Sequence, residues 1–209
     1  MERLIFLDIE TIPAGDPIDP MTLKPPAQMK KADTIAEWYK NEAPALAEEA
    51  WKKGSLDSMR GEILCIGWIC DEEGWVINGS NEEATLQQFQ TILEGIKGEY
   101  KFVGWNINSF DIPWIWRKAI KYNLPLRKVF NRDRYRGNSV DLMLTWASDF
   151  KDFRKMSDVA EFLGIEDRSN GIEGSQVYDL YKEGRIEEIK TYCMGDVETV
   201  RDIYKRIYE

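Results

Sequence analysis

The sequence predicts an α/β fold in which helices cover a mixed sheet of five strands. Short apolar runs bounded by turn residues, such as residues 4–7 and 63–70, are typical of buried strands. Longer segments, such as residues 83–96, carry apolar residues at helical spacing. Strands come first and then alternate with helices, which favours a sheet with helices on its faces.

The apolar runs and the helical spacing predict the individual elements. Strands are expected at 3–7, 63–70, 74–78, 101–104 and 139–142. Helices are expected at 83–96, 112–122, 156–163, 176–183 and from 186 to the end. Asn81 is a suitable N-cap for the first of these helices, and Pro113 lies in the first turn of the second.

Residues 13–61 interrupt this alternation. Five prolines make the first half extended or looped, and residues 32–53 have the pattern of one or two amphipathic helices with a break at Pro44. We expect a single domain over 1–209 with this segment inserted. A connection of this length is often functional. It is either a lid or substrate wall beside Asp8 and Glu10 or, the preferred interpretation, a packed excursion over one sheet face.

Composition limits the class of protein. With 209 residues, 43% of them hydrophobic, the chain can bury one full core. Only a few apolar residues precede Asp8, so we expect no signal peptide and no membrane span, and a cytoplasmic location in a bacterium or a virus-infected cell. Three cysteines without a C-x-x-C pair suggest neither a disulfide framework nor a structural zinc site.

Histidine is absent from the chain. This excludes a Ser-His-Asp or Cys-His arrangement, an H-E-x-x-H zinc helix and a histidine general base. Base chemistry must therefore depend on carboxylates, tyrosine or metal-bound water.

Acidic residues stand where apolar ones are expected. Asp8 and Glu10 follow a buried strand and, being two residues apart, project from the same face at its carboxyl end. Asp196 lies four residues after Tyr192 on a helical stripe that should face the sheet. Asp111, at a strand-to-helix junction, is either an N-cap or a fourth site acid. Buried anions are costly unless they are paired or bind metal, so the set predicts hard divalent cations and phosphate-ester chemistry.

Positive charge is concentrated in one segment of an otherwise acidic chain. Residues 117–136 carry eight basic residues and one acidic residue, a net +7, while the whole chain is −9. Aromatic residues are interleaved with these cations. The segment is either a phosphate-binding surface with stacking rings, to which Arg132 and Arg134 would contribute, or a solvated basic helix face.

Three motifs resemble those of a known superfamily when taken in order. They are LIFLDIETIP, VGWNINSFDIPWI and YCMGD, and they resemble the exonuclease motifs of the DEDD superfamily of 3′-5′ exonucleases. Tyr192 is typical of the tyrosine subclass (DEDDy), like the proofreading domains of family-B DNA polymerases and their stand-alone relatives. The histidine subclass would have histidine at Thr191. The resemblance covers residues 3–205 except the insertion, and GIEGSQVYDLYKEGRIEEI resembles the segment before the third motif in the stand-alone branch.

The resemblance implies an RNase H-like (DnaQ-like exonuclease) fold and two Mg²⁺ or Mn²⁺ ions. Asp8, Glu10 and Asp196 would bind one ion, and Asp8 with Asp111 would bind the second. Tyr192 would orient the attacking water, since a phenol with its usual pKa near 10 is a poor free base.

The resemblance also implies three contacts to the terminal nucleotide. Thr11 matches a position for backbone contact, Asn106 one for polar contact, and Phe110 one for wedging or stacking. A core role for Phe110 stays open.

The expected activity is removal of nucleoside monophosphates from the 3′ end of single-stranded DNA by two-metal-ion phosphodiester hydrolysis, with no membrane partner. A DNA polymerase or a replication or repair complex would be a partner in trans. The alternatives are an RNA exonuclease of the ribonuclease D type, a non-catalytic nucleic-acid-binding replication accessory module, and an RNase H-type endonuclease.

Overall fold

The computed structural model of the protein describes residues 2–131, 137–148 and 151–209. It divides into two compact units. One unit comprises the chain up to Glu10 together with Ile63–Glu209, and the other comprises Thr11–Glu62. The two units are described separately below.

A mixed sheet of five strands forms the centre of the fold, in the order β3-β2-β1-β4-β5. The strands are β1 Arg3–Pro13, β2 Gly61–Cys70, β3 Glu73–Ile77, β4 Tyr100–Gly104 and β5 Ser139–Asp141. β4 pairs in parallel with both β1 and β5, whereas β2 and β3 are antiparallel. The predicted α/β class with five strands is confirmed.

Helices of the first unit flank this sheet. They are α3 Glu82–Gly95, α4 Asp111–Lys121, α5 Leu142–Ala147, α6 Met156–Phe162, α7 Val177–Lys182 and α8 Ile186–Tyr208, and those of the second unit are α1 Ala32–Asn41 and α2 Ala43–Lys52. The break expected at Pro44 falls between α1 and α2, where this proline occupies the first turn of α2 and its missing N–H removes no helical hydrogen bond.

Two apolar clusters lie on opposite faces of β1 because side chains alternate along a strand. Ile5, Leu7 and Ile9 join the cluster that includes α3 and α4. Phe6 joins the cluster that includes Val197 of α8. Asp8 and Glu10 have the same parity as Phe6, so they project from the face on which α8 packs.

The structure corrects two predicted boundaries. β1 was expected to end at residue 7, which would place Asp8 and Glu10 at the carboxyl end of the strand, but it continues to Pro13. The two acids interrupt the apolar run in the sequence, whereas Ile9 and Ile12 remain buried and extend the strand. β5 is shorter than expected because Leu142 already begins α5.

Candidate active site

Asp8 and Glu10 form the first part of an acidic cluster, and both lie inside β1. Glu10 is buried and Asp8 is partly exposed. One carboxylate oxygen of each lies, together with Sγ of Cys193, in a group whose members are all within 4.8 Å of one another. A single cation can therefore contact both carboxylates.

Asp111 adds the third carboxylate, from the start of α4. The side chain is 3% exposed, and its Oδ1 accepts a hydrogen bond from the backbone N–H of Ile9 at 3.1 Å. Ile9 separates Asp8 from Glu10, so this bond ties Asp111 to the acidic part of β1. The N-cap of α4 is Phe110, and Asp111 is the first helical residue. The N-cap interpretation of Asp111 is therefore wrong.

Tyr192 and Asp196 come from α8, and both are half-buried. The phenol hydroxyl of Tyr192 donates a hydrogen bond to the Asp196 carboxylate one turn later. The buried stripe of α8 includes Cys193, Val197 and Val200. Asp196 was expected to point fully inward, but it lies at the border of this stripe.

A glycine in β2 lets α8 approach the sheet closely. A Cβ at Gly67 would lie 2.8 Å from Sγ of Cys193 and 2.9 Å from Cγ2 of Val197, distances that packed side chains do not adopt. Cys193 in turn has its Sγ 3.7 Å from Oδ2 of Asp8. Gly67 thus permits the packing that brings the Tyr192–Asp196 turn beside β1.

Burial raises the pKa values of the four acids, and the charges of neighbouring acids add to this increase. Burial raises the pKa of Asp8 well above its usual value, and the negative charges of Asp111, Asp196 and Glu10 raise it further. Burial, followed by neighbouring negative charge, also raises the pKa of Glu10 well above its usual range. Burial raises the pKa of Asp196 to about 6, opposed by the hydrogen bond from Tyr192.

The pKa of Asp111 is raised to about 8, chiefly by burial. Hydrogen bonds from its own backbone N–H and from that of Ile9 oppose this increase, while the charges of Asp141 and Asp196 add to it. Among the ion pairs between described residues, none involves Asp8, Glu10, Asp111 or Asp196. A set of largely buried carboxylates with no ion-pair partner in the described part of the chain fits a hard divalent cation.

The residues predicted to contact the terminal nucleotide have different surroundings. Thr11 belongs to the second unit, where its hydroxyl donates a 2.6 Å hydrogen bond to the carbonyl of Ser55. Asn106 is partly exposed and has a left-handed φ of 59°. Phe110 is partly exposed and packs on the ring of Trp114 at 5.7 Å and against the α3–α4 core.

Three cations in the described part of the basic segment make contacts within the protein. Lys118 is buried and forms a 3.1 Å ion pair with Glu82 of α3, and Lys121 contacts the same carboxylate at 3.2 Å. The guanidinium of Arg127 donates to the carbonyl of Leu124 at 2.6 Å. These cations stabilise the fold.

Arg132 and Arg134 lie outside the described residues.

Two residues beside the cluster were not singled out from the sequence. For Cys193, the position between Tyr192 and Asp196 is the available signal in the sequence. Asp141, whose charge acts on Asp111, was not singled out either. Its N-cap position could not be recognised, because the helix that follows it, α5, has only six residues.

The described residues contain no helix with the length and apolar character that a membrane crossing requires.

Comparison with known proteins relates the chain to polymerase exonuclease domains. Residues 75–208 match a family described as "Predicted 3'-5' exonuclease related to the exonuclease domain of PolB". This match includes Asp111, Tyr192 and Asp196 but not Asp8 and Glu10.

Two curated proteins are similar in sequence. A DNA polymerase of Archaeoglobus fulgidus is 26% identical over 155 residues, which are 68% of this chain and 20% of the polymerase. An uncharacterized protein of Methanocaldococcus jannaschii is 25% identical over 157 residues, covering 72% of this chain and 88% of that protein. The chain thus spans about a fifth of the polymerase and most of the second relative.

A solved structure shares the fold. The family B DNA polymerase from the hyperthermophilic archaeon Pyrobaculum calidifontis superposes with a TM-score of 0.66 and 18% identity, over 99% of this chain and 24% of that chain. At this identity the likeness shows the fold alone, which is RNase H-like. The sequence match over 75–208 goes further: the chain belongs to the family of predicted 3′-5′ exonucleases related to the exonuclease domain of PolB.

Proposed function

We propose that the protein is a 3′-5′ exonuclease of the tyrosine subclass that releases nucleoside monophosphates from the 3′ end of single-stranded DNA. The observation that carries the proposal is the convergence of Asp8 and Glu10 from β1, Asp111 from α4 and Asp196 from α8. Such a cluster destabilises the fold unless a ligand neutralises it. Membership of the exonuclease family supports the same chemistry.

The donor set suits two divalent ions, Mg²⁺ or Mn²⁺. Asp8, Glu10 and Asp196 would hold one, and Asp8 with Asp111 would hold the other. Bound metal ions supply Lewis-acid stabilisation of charge on a phosphodiester and lower the pKa of water at neutral pH. The carboxylates of the chain would hold the two cations next to the scissile bond and would neutralise part of their positive charge.

Tyr192 acts as a hydrogen-bond donor and not as a base. Burial, and then the charges of Asp196, Glu10 and Asp8, raise the pKa of its phenol, so it stays protonated at neutral pH. Its proton is directed to the Asp196 carboxylate, which it orients. The lone pairs of its oxygen are then available to accept a hydrogen bond from the attacking water.

We assign Asn106, Phe110 and Thr11 to the terminal nucleotide, and Arg132 with Arg134 to the phosphate backbone. The chain would act as one exonuclease domain with residues 13–61 inserted. A DNA polymerase, or a replication or repair complex, would supply substrate ends in trans.

A labelled-substrate assay tests the proposal. Single-stranded DNA and RNA of one sequence, labelled at the 5′ end, are incubated with the protein and Mg²⁺ or Mn²⁺, beside a 3′-blocked DNA. We expect a ladder that shortens from the free 3′ end of DNA, no ladder from the blocked strand, and loss of the ladder in Asp8→Ala and Asp196→Ala. Glu187→Ala, which removes an exposed carboxylate from the same helix as Asp196, is the matched control and should retain activity.

The other outcomes identify other functions. Equal activity in the wild type and both alanine variants would contradict the proposed site. Faster shortening of RNA would replace DNA by RNA as substrate, and cleavage of circular single strands would indicate an endonuclease. Binding of DNA without any hydrolysis would indicate a non-catalytic module.

A further inference from the structure

A carboxylate outside the acidic cluster accepts four backbone hydrogen bonds. Asp141 is the last residue of β5 and is 5% exposed. Its Oδ1 accepts from the N–H groups of Asn106 at 3.2 Å, Met143 at 3.1 Å and Leu144 at 3.2 Å. Its Oδ2 accepts from the N–H of Asn108 at 3.1 Å. Buried carboxylates with this many donors are rigidly held.

The four donors belong to two different segments. Met143 and Leu144 are in the first turn of α5, for which Asp141 is the N-cap. Asn106 and Asn108 are in the loop that runs from the end of β4 to Asp111 at the start of α4. Helix capping explains the first pair of bonds and leaves the second pair without an explanation.

That loop has a defined and tight conformation. Asn106 has a φ of 59°, and its carbonyl accepts hydrogen bonds from the N–H groups of Ser109 and Phe110, both at 3.0 Å. Asparagine adopts left-handed backbone more readily than most other residues except glycine, and these two hydrogen bonds accompany that conformation here. The Oγ of Ser139 also donates to Oδ1 of Asn108 at 2.6 Å, a third side-chain hydrogen bond between β5 and the loop.

The opposite side of the loop packs onto the sheet. Ile107 is fully buried, and a Cβ at Gly104 would lie 2.8 Å from Cβ of Ile107 and 3.0 Å from the carbonyl oxygen of Leu7. The N–H of Ile112 donates to the carbonyl of Ile107 at 3.1 Å. Asp141 on one side and the sheet on the other therefore fix the path of the chain into Asp111, whose own carboxylate bonds to β1.

We propose that Asp141 is a positioning residue for the acidic cluster: by binding the amides of Asn106 and Asn108 it sets the loop that holds Asp111 against β1. The effect of Asp141 on hydrolysis rests on the proposed function. Both carboxylate oxygens of Asp141 are required, because Oδ1 binds the first turn of α5 while Oδ2 binds the N–H of Asn108. Residues that orient metal ligands in this indirect way commonly change metal affinity or activity about 10- to 100-fold when replaced.

Substitution by serine separates this role from helix capping. Serine is a good N-cap and keeps a hydroxyl acceptor for the first turn of α5, but its single, shorter oxygen cannot also bind Asn106 and Asn108. Asn81→Ala is the matched control, because Asn81 caps α3 through a 2.9 Å bond to the N–H of Ala84 and contacts none of these groups.

The experiment compares wild type, Asp141→Ser and Asn81→Ala below their unfolding temperatures. We expect Asp141→Ser to lower kcat and the affinity for Mn²⁺, measured by calorimetry, by about 10- to 100-fold. Amide hydrogen exchange at residues 106 and 108 should accelerate in the same variant. Asn81→Ala should change thermal stability and leave kcat, Mn²⁺ affinity and those amides near the wild-type values.

Mn²⁺ affinity and kcat of Asp141→Ser within about twofold of wild type would overturn the proposal, since that range is well below the effect expected for an orienting residue. If Asp141→Ser does not fold, Asp141→Asn replaces it. The asparagine variant keeps Oδ1 and loses only the acceptor for Asn108, so the same comparison decides. If the wild type hydrolyses nothing, the proposed function fails, while Mn²⁺ binding and amide exchange still test whether Asp141 positions Asp111.

Discussion

Replacing Asp111 by asparagine should stabilise the protein when metal is removed, and the gain should grow as the pH rises. The folded pKa of Asp111 is about 8 against an ordinary value of 3.8. A raised folded pKa means that the stability contributed by the protonated group is fully present below pH 3.8 and is lost as the pH rises towards 8. Asparagine is neutral throughout, and its Oδ1 can still accept the N–H of Ile9.

The size of the effect follows from proton linkage. One group between its unfolded and folded pKa values changes the free energy of unfolding by about 1.4 kcal/mol per pH unit. From pH 5 to pH 7 the advantage of Asp111→Asn should thus increase by up to about 2.7 kcal/mol. For a protein of this length, that corresponds to roughly 5 to 10 °C in Tm. Asp196 has a folded pKa of about 6, so it lowers the free energy of unfolding of the wild type mainly as the pH rises towards 6.

Thermal unfolding by circular dichroism in excess chelator measures this difference at pH 5 and pH 7. Asp16→Asn, which removes an exposed carboxylate from the second unit, is the control and should match the wild type at both pH values. Excess Mn²⁺ at pH 7 should then stabilise the wild type by about 2.7 kcal/mol at 100 times its Kd, and the Asp111→Asn variant by less. A variant that is no more stable than wild type at pH 7, or whose advantage does not grow with pH, would refute the electrostatic reasoning.

Two further predictions concern charges away from the cluster. Glu82→Gln should lower the free energy of unfolding by about 3 to 5 kcal/mol, because it removes the carboxylate charge that pairs with the buried Lys118 of α4. Chemical denaturation measures this loss. Glu94→Gln, at an exposed position of the same helix, should change the free energy of unfolding little. Arg132→Glu with Arg134→Glu should weaken binding to single-stranded DNA and flatten its salt dependence by about 0.7 per lost phosphate contact, measured by fluorescence anisotropy at several salt concentrations. Lys30→Glu with Lys31→Glu, at two exposed positions, is the control and should leave the salt dependence of binding unchanged. If the arginine variant also has an unchanged salt dependence, the basic segment is an ordinary solvated face.

Local patterns in the sequence predict most of the fold. The apolar runs of β2 and β4 and the helical spacing of α3 and α8 are properties of short segments, so they can be recognised without knowing what packs against them. The end of β1 is predicted too early because Asp8 and Glu10 are polar residues after an apolar run, which is typical of a strand end. In the structure both acids belong to the strand, which continues to Pro13. α5 has only six residues, too few for its periodicity to be recognised.

The candidate site was predictable in its members and less so in its geometry. Asp8, Glu10, Asp111, Tyr192 and Asp196 follow from the motifs, and the structure brings them together. The orientation of Asp196 was not predictable, since positions 196 and 197 both fit a helical stripe through Val200, and the structure buries Val197 more deeply. Asp141 could not be recognised as an anchor of the Asp111 loop, because its bonds to Asn106 and Asn108 span more than 30 residues.

The way in which the acids are held explains how such a cluster can both fold and bind metal. A lysine or arginine beside Asp8 would relieve the repulsion that raises its pKa, but it would also compete with a divalent ion for the same oxygens. Among the described residues, the hydrogen-bond donors are neutral instead: the N–H of Ile9 for Asp111 and the phenol of Tyr192 for Asp196. Neutral donors orient a carboxylate and leave its charge available. Repulsion among the acids therefore remains in the metal-free protein. Under the proposed function, metal binding would relieve this repulsion, so that folding and metal binding would be coupled.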